Sequence, residues 1–199
     1  MFNKDNYKVL KEKYGHLTSW AIWEMPNLSI ERMSARVDDM SSFEDENAFL
    51  SLIHNKYVFF ALNGSIVHLN GQSFNNWKNF HSSYKFQKDY KLRAALYQTP
   101  YWGSYISDVI KNHPTVGRNE LLRDLKKDPS LLEENKKFII EELHLIGGNP
   151  MFIAIGGDSY QLLKSMFPES TIKQIPHYAI YCSCEDYVEM VHKAIGIKV

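Results

Sequence analysis

Apolar positions along the chain recur with two periods. At positions 4–14, Tyr7, Leu10 and Tyr14 fall at i, i+3 and i+7 between lysines, which predicts a short amphipathic helix. Positions 19–25 (SWAIWEM) read as extended. Positions 44–55 predict a helix with a Phe49, Leu50 and Ile53 stripe, capped by Ser42. Four short apolar runs then predict buried strands: 57–62, 104–110, 151–155 and 171–175. Helical patterns separate them at 89–96, 133–146 and 158–167, and a last helix follows at 185–195. HPTVG (113–117) reads as a turn, PHYAIYCSC (176–184) as a loop, and 64–88 as a long irregular segment. Loops of that length are usually functional or mobile.

Strands alternating with helices predict an α/β fold. The expected form is a three-layer α/β/α sandwich around a central, mainly parallel four-stranded sheet. In such folds ligands sit beyond the carboxyl ends of the strands. One domain over 1–199 is expected, with 1–43 as an N-terminal extension packed on it. The composition is ordinary for a globular chain, 44% hydrophobic and 23% charged. Formal net charge is zero, with 23 basic and 23 acidic side chains, which excludes a wholesale nucleic-acid coat but not a local patch. Cys182 and Cys184 are the two cysteines, too few for a four-ligand zinc site. They read as reduced thiols. No apolar run has the length of a membrane helix, and no signal core opens the chain. A cytoplasmic protein without membrane partner, metal or cofactor is the expectation.

Candidate chemistry gathers at the predicted strand ends. Asn63 can donate and accept, and Gly64 allows close backbone approach; Asn-Gly is equally a common turn. Residues 74–93 interleave Phe74, Trp77, Phe80, Tyr84, Phe86 and Tyr90 with five cations against one acid. Single-strand binders use that mixture, and so does a loop pinned by aromatics with solvated lysines. Asp108 could accept from the N–H groups of a base or cap a turn. His177 could donate to a developing anion. Gly156-Gly157-Asp158-Ser159 suits an anion at a helix start or a tight strand-to-helix turn.

Together these segments resemble the uracil-DNA glycosylase superfamily, in a bacterial branch. FFALNGS resembles its first motif, an apolar strand ending in a catalytic Asp or Asn. Ala61-Leu62-Asn63-Gly64-Ser65 is closest to the Gly-Ile-Asn-Pro-Gly of the mismatch-specific type. NFHS offers Phe80 as the aromatic that stacks on the flipped base, and SYISDVI offers Asp108 as the reader of its edge. FIAIGGDSYQLL resembles the strand-turn-helix before the second motif, and IPHYAIYCS resembles that motif, with His177 as the histidine and Ile180 as the wedge. The resemblance thus implies Asn63 and His177 as catalytic residues. Gly64, Ser65, Phe80, Asp108 and Tyr178 would contact the base. Lys78, Lys85, Lys88 and Ile180 would contact nucleic acid.

The implied function is recognition of a flipped or free nucleobase, with hydrolysis of its N-glycosidic bond. A non-catalytic nucleobase-binding module and a small-molecule hydrolase are the alternatives. Departures bear on this choice. Gly64 replaces the motif proline, Tyr178-Ala179 replaces Pro-Ser, and no iron–sulfur cysteine cluster is present. Asn63 can orient water but cannot take its proton. A carboxylate at Asp108 matches N–H donors better than a uracil carbonyl.

Overall fold

A computed structural model describes residues 3–25, 37–65, 76–82, 87–115 and 117–197. Helix α1 (Lys4–Tyr14) starts at Asn3, whose side chain accepts from the Asp5 and Asn6 amides, and it buries Tyr7, Leu10 and Tyr14. Strand β1 (Ser19–Trp20) follows. A 3₁₀ turn (Ser41–Phe43) leads to α2 (Glu46–Leu52). The cap of α2 is Asp45, not Ser42; the Ser42 hydroxyl donates instead to Glu24 at 2.7 Å.

The rest of the chain alternates strand and helix. Strand β2 (Tyr57–Ser65) precedes α3 (Asp89–Leu96), and β3 (Tyr105–Thr115) precedes α4 (Arg118–Lys127) and α5 (Ser130–Ile146). Then come β4 (Met151–Ile155), α6 (Gly157–Met166), β5 (Ile172–Ile175) and α7 (Cys184–Ile195).

The strands form one five-stranded, mostly parallel sheet in the order β1-β3-β2-β4-β5. The sequence predicts four strands. The fifth is β1, which pairs antiparallel with β3 through Ser19–Ile106 and Trp20–Tyr105. The start of the chain is therefore built into the sheet and core, and Trp20 and Trp23 are both buried. HPT at 113–115, expected in a turn, is the end of β3, because Thr115 pairs with Ser65 across a register shift.

Alternation along the strands builds two cores. Val58, Phe60, Tyr105, Val109, Phe152 and Ala154 face α1, α2, α5 and α6. Phe59, Ala61, Ile106, Ile153 and Ile155 face α3 and α7. Both faces are covered, which is why the strands read as continuous apolar runs. Strand β2 has β3 on one side and β4 on the other. The chain thus changes direction of winding between β2 and β4, where an open sheet leaves a crevice beyond its carboxyl ends. Among the described residues no helix is long and apolar enough to cross a membrane.

Candidate functional site

Asn63 is near the carboxyl end of β2. Its Nδ2 donates to Thr115 Oγ1 at 3.0 Å, which ties the ends of β2 and β3 together across the register shift. Its Oδ1 has no hydrogen-bond partner among the described residues, so an acceptor is left for a water or ligand. Gly64 and Ser65 continue the same strand.

His177 follows β5. Its Nδ1 accepts from the Ala179 amide at 3.1 Å, and its carbonyl accepts from Ile180 N at 3.1 Å, closing a tight turn. Burial lowers the imidazole pKa. A backbone N–H can only donate, so the neutral ring carries its proton on Nε2. That makes His177 a neutral donor with a fixed tautomer. The ring lies 4.4 Å from that of Tyr178, tilted by 33°. Gly156 sits beneath it in a positive-φ conformation (φ 95°, ψ 166°); a Cβ there would stand 3.5 Å from His177 Cβ. Gly156 thus sets the start of α6 against His177.

Asp108 is not at a strand end. It lies inside β3, in register with Ala61 of β2, with 4% of its surface exposed. Asn79 Nδ2 donates to Asp108 Oδ2 at 3.1 Å. Burial pushes the carboxyl up to about 7, against the opposing pull of Lys111 and the Asn79 hydrogen bond. Burial raises the pKa of Tyr178, and the charges of Asp89 and Asp108 raise it further. Asp89, buried at the start of α3, accepts from Ser82 N at 3.0 Å and is raised by burial to about 6. Asp108, Asp89, Asn79 and Tyr178 therefore gather on the α3/α7 side of the sheet.

Phe80 belongs to this same core but is 6% exposed. It holds a positive φ of 65°, with its amide on Asn79 Oδ1 and its carbonyl on Trp23 Nε1. The ring is packed into this core rather than offered as an open platform. Lys78 is half-buried, and the half-buried Lys88 ammonium stands 5.9 Å from the Tyr90 ring. Lys85 lies outside the described residues. Lys91 and Arg93, counted among the basic patch, are buried. Lys91 Nζ donates to the Ile180 and Cys182 carbonyls at 3.0 and 2.8 Å, anchoring the loop that carries His177. Arg93 donates to the Glu24 carbonyl at 2.8 Å. Their charges serve the fold.

Ile180 is exposed at the loop tip and Tyr181 beside it is fully exposed. Sequence reasoning misses Asn79 and Tyr181, and it reads Asp89 and Lys91 only as part of a helix start and a basic patch. Asn79 was within reach, since it precedes Phe80 in NFHS; Tyr181 has no spacing signal. Among the described residues no group of three or more His, Cys, Asp or Glu is placed to hold a metal ion. No family model, curated protein or solved structure matches the chain.

Proposed function

We propose that this chain binds a nucleobase beyond the carboxyl ends of β2 and β5 and hydrolyses its N-glycosidic bond, as a uracil-DNA glycosylase-like protein of base-excision repair. The observation that carries this reading is the neutral His177, whose Nδ1 is occupied by Ala179 N and whose Nε2–H is thereby the donor. Such a group stabilises the anion of a departing base without first having to lose a proton. A four-strand parallel core with helices on both faces is compatible with the glycosylase fold that the motifs resemble.

In this mechanism a nucleotide leaves the stack at a cost of a few kcal/mol. The base stacks on Phe80 and meets Tyr178, two buried rings that must move aside to admit it, and presents its edge to Asp108. As the glycosidic bond loosens toward an oxocarbenium sugar, negative charge gathers on the base and His177 Nε2–H meets it. Asn63 Oδ1 orients the attacking water. With no carboxylate at that position, the proton passes to solvent after attack, so turnover is slow. Lys78, Lys85 and Lys88 approach phosphates, and Ile180 fills the gap left in the stack. The protein then acts in the cytoplasm on DNA.

The test uses labelled duplex and single-stranded oligonucleotides carrying uracil, hypoxanthine, a thymine mismatch or an alkylated base, followed by alkali. Alkali-labile sites that vanish in Asn63→Ala and His177→Ala are the expected result. Binding without strand cleavage on any substrate would replace the enzyme by a base-binding module, the reading favoured by the amide at position 63.

A further inference from the structure

Asp108 differs from a simple hydrogen-bond acceptor because its two oxygens are not equivalent. Oδ2 takes the Asn79 amide. Asn79 cannot turn over to change this. Its Nδ2 also donates to the Leu17 carbonyl at 2.6 Å, and its Oδ1 accepts from Phe80 N at 3.1 Å. A flipped amide would set oxygen against the Leu17 carbonyl and NH₂ against the Phe80 N–H. Asp108 Oδ2 is therefore an acceptor in every protonation state. When Asp108 carries a proton, the proton is on Oδ1. That oxygen has no hydrogen-bond partner among the described residues.

We propose that Asp108 Oδ1 reads the base in both protonation states, accepting N–H from an amino-bearing edge as a carboxylate and donating to a keto oxygen as an acid, so that base preference switches with pH. The inference rests on the nucleobase-binding reading and deepens it to a substrate class. Near and above neutrality that class is bases with an exocyclic amine.

The groups around Asp108 support a switch rather than a fixed state. On its own strand, the Lys111 ammonium is committed to Glu142 of α5 at 2.7 Å and to the Asp108 carbonyl, not its carboxyl, at 2.6 Å. Lys111 and Asn79 favour the carboxylate, while burial and Glu142 favour the acid. From the loop after β5 comes Tyr178, and from α3 comes Asp89; the charges of Asp89 and Asp108 both add to the burial that raises the Tyr178 pKa. These opposing effects leave the carboxyl at about 7, where both forms are populated.

The experiment measures binding of matched single-stranded deoxycytidine and deoxyuridine oligonucleotides, which differ at the 4-amino or 4-oxo group, from about pH 5.5 to about pH 8.5. The wild type should prefer the amino base about tenfold or more at the alkaline end, the size expected of one charged hydrogen bond. That preference should disappear or reverse at the acid end. Asp108→Asn should show one ratio at all pH values. Asn79→Ala, which removes a donor that favours the carboxylate, should move the midpoint to higher pH. A wild-type ratio independent of pH, or a switch retained in Asp108→Asn, overturns the proposal while leaving base binding intact. No binding of either oligonucleotide at any pH overturns both the proposal and the function on which it rests.

Discussion

Lys111 and Glu142 form an ion pair 2.7 Å long whose two side chains are almost sealed from solvent. Glu142 also accepts from Tyr105 Oη at 2.8 Å and Ser107 Oγ at 3.0 Å. Lys111 reaches back to the Asp108 carbonyl. Strand β3 is thus held on both sides of Asp108 by one carboxylate on α5. The network serves the site by fixing the strand that presents the candidate base reader.

Breaking that network from one side should be costly. Glu142→Leu leaves the Lys111 ammonium buried without its partner, and removal of one member of a buried pair costs about 3–5 kcal/mol. Lys111→Met combined with Glu142→Leu removes both charges and should recover most of the loss. Urea unfolding of the two single variants and the double variant measures this. A double variant as unstable as the worse single one would show that the hydrogen bonds of Glu142, not the charge pair, carry the stability.

Asp108 should make the folded state sensitive to pH in an unusual direction. Its folded pKa of about 7 lies above the reference 3.8. Between those values the native state holds a proton that the unfolded chain has released. Stability from this group is full below about 4 and falls as pH rises toward 7. Asp108→Asn keeps the shape and removes the titration. It should therefore stabilise the protein on the order of 4 kcal/mol above neutrality, at about 1.4 kcal/mol per unit, with the gain fading by about pH 4. Thermal or chemical unfolding across that range checks it, and a gain independent of pH would refute the assignment.

Much of the scaffold was legible because fully buried strands and amphipathic helices carry strong patterns. The predicted strand at 151–155 and helix at 89–96 coincide with β4 and α3. Helix α4 was missed because only Leu121 among its ten residues is buried, too narrow a stripe to register. HPTVG reads as a turn, yet pairing of Thr115 with Ser65 keeps the chain in the sheet through 115. The two-residue β1 has no period to detect. In the site, Asn63 and His177 were found at strand ends, but the placement of Asp108 depends on the length of β3. Lys91 and Arg93 were misread for a different reason. Sequence assigns charge to the surface, and only tertiary contacts show backbone carbonyls taking it up in the interior.

Gly156 should resist substitution through its backbone rather than its space. Its φ of 95° and ψ of 166° belong to a region essentially restricted to glycine. The added methyl would meet His177 Cβ at an ordinary 3.5 Å. Gly156→Ala should therefore cost about 1–3 kcal/mol from strain and shift the His177 ring by forcing the β4–α6 turn to relax. The imidazole NMR signals of His177 report the second effect. An unchanged His177 spectrum together with lost stability would show that the turn relaxes away from the ring.

Lys91 should control the order of the His177 loop without controlling the fold. Its ammonium bonds two carbonyls of that loop, Ile180 and Cys182, and stands 6.0 Å from the Tyr187 ring. The same loop supplies Ala179 N, the donor that fixes the His177 tautomer. Lys91→Met removes the anchor but also removes a charge that is expensive to bury, so the two effects on global stability oppose each other. Locally they do not, because the freed carbonyls regain hydration only if the loop opens. Amide hydrogen exchange at Ala179 and Ile180 should accelerate by about tenfold or more, the equivalent of about 1.4 kcal/mol of local opening, while exchange in β4 changes far less. The His177 ring should then sample both tautomers, broadening its Nδ1 and Nε2 resonances. Equal acceleration in loop and strand would instead make Lys91 a general support of the α3–α7 contact, and His177 would owe its fixed tautomer to the turn alone.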